Sequence, residues 1–223
     1  MHKPDFGRFS SAFGLIRVRP QAAAESFLEW QRDVLAGYGL SFSEPAPLCG
    51  ALENALAGLL PLTMPGMLRV MFWPVDDDWT IYFDNSGLGT DAPTVMPVLS
   101  ERLGVDAVRV CMSDDVRDSS TKRILSYPAT IFEYYTKGTP RRVVYASNDG
   151  GRWKFGAIGT PFAFEDLDRY DEKVVRNRFT QDVLLTYLSA LGLSLGNASS
   201  ATQERPGYGM RKLGRLPFIP KEC

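Results

Sequence analysis

Hydrophobic residues recur along this chain in two different periods, and the changes of period mark out its elements. Residues 13 to 19 alternate as a strand does, and Pro20 then suits the first turn of a helix, where a missing N–H costs little. Phe27, Trp30, Val34, Leu35 and Tyr38 follow at helical spacing, with Gly37 and Gly39 to end the run. A second apolar helix is expected over residues 50 to 60, stopped by Pro61. Residues 67 to 73 and 79 to 84 are aromatic and β-branched runs on either side of Pro74 and Asp76-Asp77-Asp78, which predicts a hairpin near the centre of a sheet.

Val95, Val98, Leu99 and Leu103 then trace a helix closed by Gly104 and starting near Pro93 or Thr94, so that Pro97 falls in its first turn and Asp91 at the loop end or the cap. Residues 105 to 112 read as a strand. Three more follow at 127 to 136, 141 to 147 and 152 to 158, the last two joined by Asn148-Asp149-Gly150-Gly151, which implies an antiparallel meander. Val175, Phe179, Val183, Leu184, Tyr187, Leu188 and Leu191 predict an amphipathic helix capped by Gly192. From Asn197 onward the period disappears among Pro206, Gly207, Gly209, Gly214, Pro217 and Pro220. The expected fold is α+β: a largely antiparallel sheet with a central meander and helices packed on one face. The expected domains are a single body over 1–196 and an irregular, basic Gly/Pro-rich tail over 197–223.

Composition narrows the chemistry. The chain has 223 residues with 44% hydrophobic and 23% charged side chains, a globular balance. Its net charge of −1 gives no global field toward nucleic acid or an anionic membrane, so neither is an expected partner. The tail carries +3 and the body therefore about −4. Three cysteines, Cys49, Cys111 and Cys223, fit a reducing compartment better than a disulfide framework. No signal-peptide pattern and no apolar run of membrane-spanning length are visible, so a cytoplasmic location is expected.

The lone histidine, His2, sits beside the initiator methionine. Histidine is the commonest general base and metal ligand, so its scarcity disfavours several enzyme classes at once, and no catalytic residue, metal or cofactor is assigned. Cys111 reads as a small core residue on an apolar strand. Ser119-Ser120-Thr121-Lys122 matches a Ser-x-x-Lys arrangement only if Ser119 is taken as the serine. The aromatic residues Trp73, Trp79, Tyr82, Phe83, Tyr134, Tyr135 and Trp153 read as core rather than as a base-stacking platform, because their strands are not notably basic apart from Arg141 and Arg142.

Two segments remain as candidate recognition surfaces. Asp84-Asn85-Ser86-Gly87-Leu88-Gly89-Thr90-Asp91 lies between a strand and a helix, where α/β proteins often bind ligands, although it lacks the third glycine of a dinucleotide fingerprint. Glu165, Asp166, Asp168, Asp171 and Glu172 fall within eight residues. The ordinary readings are a backbone-satisfying turn for the first and a solvated acidic face for the second.

Trp79, Tyr82-Phe83-Asp84-Asn85 and Gly89-Thr90-Asp91, followed by Arg178-Phe179-Thr180, Leu184, Tyr187-Leu188 and Leu191-Gly192, give the chain a resemblance to a group of uncharacterised bacterial proteins that look like immunity proteins of polymorphic toxin systems. The resemblance covers the middle of the chain and its last helix and leaves out the basic tail. It implies a cytoplasmic α+β protein that binds and neutralises a toxin, and it names no contact residues. With a mildly acidic body, the expected partner is a basic toxin domain, and the contacts suggested by the residues themselves are Asp84, Asn85, Asp91, Glu165, Asp166, Asp168 and Asp171. Two alternatives stay open: a carboxylate-dependent hydrolase of a sugar- or nucleotide-linked substrate using Asp84 or Asp91, and a scaffold subunit that self-associates through residues 50–68 or the tail.

Overall fold

A computed structural model describes residues 5–63, 67–87 and 90–214. In chain order the strands are β1 (Ala12–Ile16), β2 (Ser41–Phe42), β3 (Ala46–Leu48), β4 (Gly50–Ala51), β5 (Arg69–Pro74), β6 (Thr80–Asp84), β7 (Asp106–Ser113), β8 (Val116–Arg117), β9 (Ile124–Ser126), β10 (Ala129–Thr136), β11 (Thr139–Ser147), β12 (Lys154–Gly159), β13 (Ser200–Ala201) and β14 (Gly207–Leu213). The α-helices are α1 (Pro20–Leu35), α2 (Leu52–Leu59), α3 (Ala92–Leu103) and α4 (Gln181–Ala190). Ten strands form one sheet in the order β12-β11-β10-β7-β1-β6-β5-β14-β2, with β3 also paired to β14. All its pairings are antiparallel, as an α+β chain with short connections requires. The β5–β6 hairpin and the β10–β11–β12 meander stand where the alternation places them.

The helices do not gather on one face as expected. Alternation along central strands makes both faces of the sheet apolar, and each face needs a cover. α1 and α3 pack Ala23, Phe27, Val95 and Leu99 with Ile16, Val70, Phe72 and Tyr82 on one face. On the other, α2, α4 and the N-terminal Phe6 and Phe9 bury Phe13, Leu15, Met71, Trp73, Phe83, Val110 and Phe132. Gly14 lies beneath α3, where a Cβ would stand 2.5 Å from Met96 Sδ and force that side chain to move.

The expected tail is also corrected over residues 200–213. β14 enters the main sheet between β5 and the short strands β2 and β3. Gly207 is there for packing: a Cβ on it would stand 2.5 Å from the Trp73 ring, and Trp73 in turn donates its indole N–H to the Ala198 carbonyl at 2.9 Å. Residues 215–223 lie outside the described residues.

Two helix starts move. α3 begins at Ala92 with Asp91 at its N-cap, so Pro97 is its sixth residue rather than a first-turn residue. α4 starts at Gln181, capped by Thr180, whose hydroxyl accepts the Val183 N–H at 3.4 Å, while Val175 falls in a separate 3-10 turn.

Candidate functional site

The 84–91 segment closes on itself. Asp84 ends β6 with no exposed surface. Its carboxylate accepts the Tyr82 hydroxyl at 2.9 Å, the Ser86 N–H at 2.8 Å and the Asp91 N–H at 2.6 Å, so one side chain fastens both ends of the loop. Burial still outweighs these three donors and raises the Asp84 pKa. Burial, then the neighbouring Asp84 charge, also drives the Tyr82 hydroxyl well above its ordinary value.

Asn85 fastens a second segment to the first. Its Oδ1 accepts the N–H groups of Leu68 and Arg69, both at 2.8 Å, and its Nδ2 donates to the Pro61 carbonyl at 2.9 Å. The main chain adds Thr63 N–H to the Asn85 carbonyl at 2.7 Å. Asp84 and Asn85 are both fully buried, so neither is a contact residue on the surface, which corrects the assignment made from sequence. Their polar groups are consumed by the backbone turns they hold. Asp91 is half-buried at the α3 N-cap, and its side chain makes no cap bond.

The acidic segment divides in the same way. Glu165 is withdrawn: its side chain is 0% exposed, beside Arg142 at 2%. Arg142 donates Nε–H to Glu165 Oε1 at 2.9 Å and Nη2–H to Oε2 at 2.6 Å, in a two-bond fork, and gives Nη1–H to the Gly159 carbonyl at 2.8 Å. Glu165 also accepts the Phe162 N–H at 2.9 Å and the Tyr170 hydroxyl at 2.6 Å. That leaves Tyr187 on α4 to donate to Tyr170 at 2.8 Å. Burial alone would lower the Arg142 pKa, but the bonds to Glu165 outweigh it and raise it. Burial, reinforced by the bond to Glu165, raises Tyr170. Glu165 is therefore corrected from a surface contact to an anchor. Asp166, Asp168 and Asp171 do stand exposed on the segment it holds, together with Leu167 at 49%. Lys173 and Arg176, further along, are exposed too.

The two candidate segments are not brought together. Arg142, which holds the acidic segment, is on β11, four strands from Asp84 on β6, a lateral distance of about 19 Å at ~4.8 Å per strand. Sequence analysis did not single out the Arg142 anchor. Its only trace is a charged residue on the inward-facing set of β11, in step with Val144 and Ala146.

Elsewhere, Ser120 and Thr121 give both their N–H and hydroxyl hydrogens to Asp118 Oδ1, at 2.6 to 3.0 Å. The Ser120 bond foremost holds the Asp118 carboxyl well below its usual range, and the segment is a turn between β8 and β9. Trp73, Trp79, Tyr82 and Phe83 are buried in the core. A cleft of about 520 Å³ opens between α2 and the strands β3, β5 and β14, floored by Leu48, Ala55, Leu59, Met71 and Met210. Arg69 at its rim is engaged with the C-terminal carbonyls of α2, those of Leu59 (3.4 Å) and Leu60. Among the described residues no group of three or more His, Cys, Asp or Glu is placed to hold a metal ion, and no helix is long and apolar enough to cross a membrane. No protein-family model matches the chain, and comparisons with curated proteins and with solved structures gave no match.

Proposed function

We propose that this chain is a cytoplasmic binding protein that neutralises a cognate bacterial toxin by occlusion, without catalysis, as its sequence resemblance implies. The observation that carries the reading is the construction of the 165–171 segment. A fully buried ion pair and two tyrosines hold it from behind, while Asp166, Leu167, Asp168 and Asp171 face outward. A stoichiometric inhibitor needs such a surface: a segment whose backbone is already held loses little entropy on binding, an apolar residue supplies desolvated area, and acids around it speed encounter with a basic partner. Asp91 is a weaker contact candidate because it is half-buried at a helix cap.

The test is to recover the chain with its bound proteins from the host, express each captured protein alone, and ask which is toxic and is rescued by this chain. The expected result is one toxic protein that forms a stoichiometric complex. Reversing Asp166, Asp168 and Asp171 to lysine is expected to weaken that complex. A toxic partner bound equally well by the reversed variant removes the site assignment, and the absence of any rescued toxic protein removes the function.

A further inference from the structure

The two edges of the ten-stranded sheet are built differently. At one end lie β2 and β3, of two and three residues, with Pro47 inside β3. Short strands and proline are the usual protection of an edge. At the other end lies β12, six residues without proline, paired on one side to β11 and on the other to no strand among the described residues. Ala157, Ile158 and Gly159 are exposed, Ile158 at 64%.

Register fixes which main-chain groups face outward. The Asn148 N–H bonds to the Pro128 carbonyl at 3.0 Å, so even-numbered residues of β11 bond toward β10. Val143, Tyr145 and Ser147 then bond toward β12, where they pair with Ile158, Gly156 and Lys154. The N–H and C=O of Phe155 and Ala157 therefore point away from the sheet.

We infer that β12 pairs with β12 of a second copy of this chain, antiparallel about a two-fold axis at Gly156, joining two sheets into one. With the axis there, the outward groups of Phe155 meet those of the second copy's Ala157, and the reverse. The same register sets a large side chain beside a small one twice over, Phe155 against Ala157. Gly156 faces its own copy at the axis, and the stem of Lys154 lies over the exposed Ile158. A two-fold contact demands this self-complementarity. The net charge of −1 opposes it little. Pairing one strand of this length covers less than the ~1,200 Å² of standard stable interfaces, so the dimer is reversible and depends on concentration.

Sedimentation equilibrium of the full chain is expected to show a monomer at low concentration and a dimer at high concentration. Ala157→Pro removes an outward N–H while leaving the bonds to β11, and is expected to abolish the dimer with an unchanged melting temperature. Independently, Lys154→Cys with Ile158→Cys, in a chain whose native cysteines are replaced by serine or alanine, places two thiols opposite two thiols. Such pairs stand about 4.5 Å apart at Cα, within disulfide range, whereas positions 154 and 158 of one chain are too far apart to bridge. Oxidation is expected to give a covalent dimer. A wild type that stays monomeric at every concentration, an Ala157→Pro variant that still dimerises, or oxidation products that remain monomeric or run past dimer would each overturn the inference.

Discussion

Arg142 and Glu165 meet through two parallel hydrogen bonds, 2.9 and 2.6 Å long, on a strand and a loop 23 residues apart, and neither side chain reaches solvent. Removing one member strands the other charge. Arg142→Ala is expected to cost about 3–5 kcal/mol, the range for breaking a buried pair. Glu165→Gln leaves one acceptor oxygen for donors that approach two and the Arg142 charge unpaired, so it is expected to cost a similar amount. Arg142→Ala combined with Glu165→Gln is expected to cost less than the sum of the single changes, because the double variant leaves no buried charge without its partner. Urea unfolding of the four proteins checks this ordering, and additive losses would show that the two side chains do not act as a unit.

Asp84 supplies a pH signature. Its folded pKa is raised by burial, so the folded protein holds this proton more tightly than the unfolded chain, whose aspartates titrate near about 3.9. Stability from this group therefore grows as pH falls through the folded pKa and levels off below the unfolded one. Asp84→Asn is expected to be less stable throughout, since a carboxamide has one acceptor oxygen for donors that approach two. The stability gap between wild type and variant is expected to widen from neutral pH down to about pH 4. Unfolding free energies for both proteins across that range measure the gap. A gap that narrows would mean that the three hydrogen bonds, not burial, dominate.

Periodicity made the strands and hairpins legible, because alternation and turn residues are local signals. What it missed depends on distant contacts. β14 looked like a tail because Gly207 and Gly209 interrupt its pattern, and only the place of Trp73 above Gly207 explains the first of them. Helices appear on both faces because the sheet is central, a property of the assembled strands and not of any one segment. The 84–91 motif was visible as a deliberate run of polar residues. Its role was not, since an Asp or Asn that satisfies buried backbone reads the same in sequence as one that awaits a ligand.

Gly207 and Gly58 make a paired test of that packing. A Cβ at position 207 would meet the Trp73 ring at 2.5 Å and the Phe72 carbonyl at 3.1 Å, so Gly207→Ala is expected to destabilise by about 1–3 kcal/mol. Gly58 lies within α2 with nothing near its absent Cβ, and Gly58→Ala is expected to stabilise by about 0.5–1 kcal/mol. Thermal melts of the two variants should shift in opposite directions. A neutral Gly207→Ala would mean that β14 is not seated against Trp73.

The exposed acids are predicted to behave unlike their buried neighbour. Asp166, Asp168 and Asp171 stand in solvent, where charge changes are usually worth within about 0.5 kcal/mol, so the triple lysine variant is expected to fold and melt as the wild type does. Glu165 variants are expected to lose both stability and binding, because the anchor and the surface it holds go together. With a basic partner, the triple variant is expected to associate more slowly, by about tenfold or more at low salt, with the difference shrinking as salt screens the charges. Stopped-flow association at two ionic strengths separates the cases. A slower rate that ignores salt would place the acids in direct, desolvated contact, and an unchanged rate would move the binding surface elsewhere on the molecule.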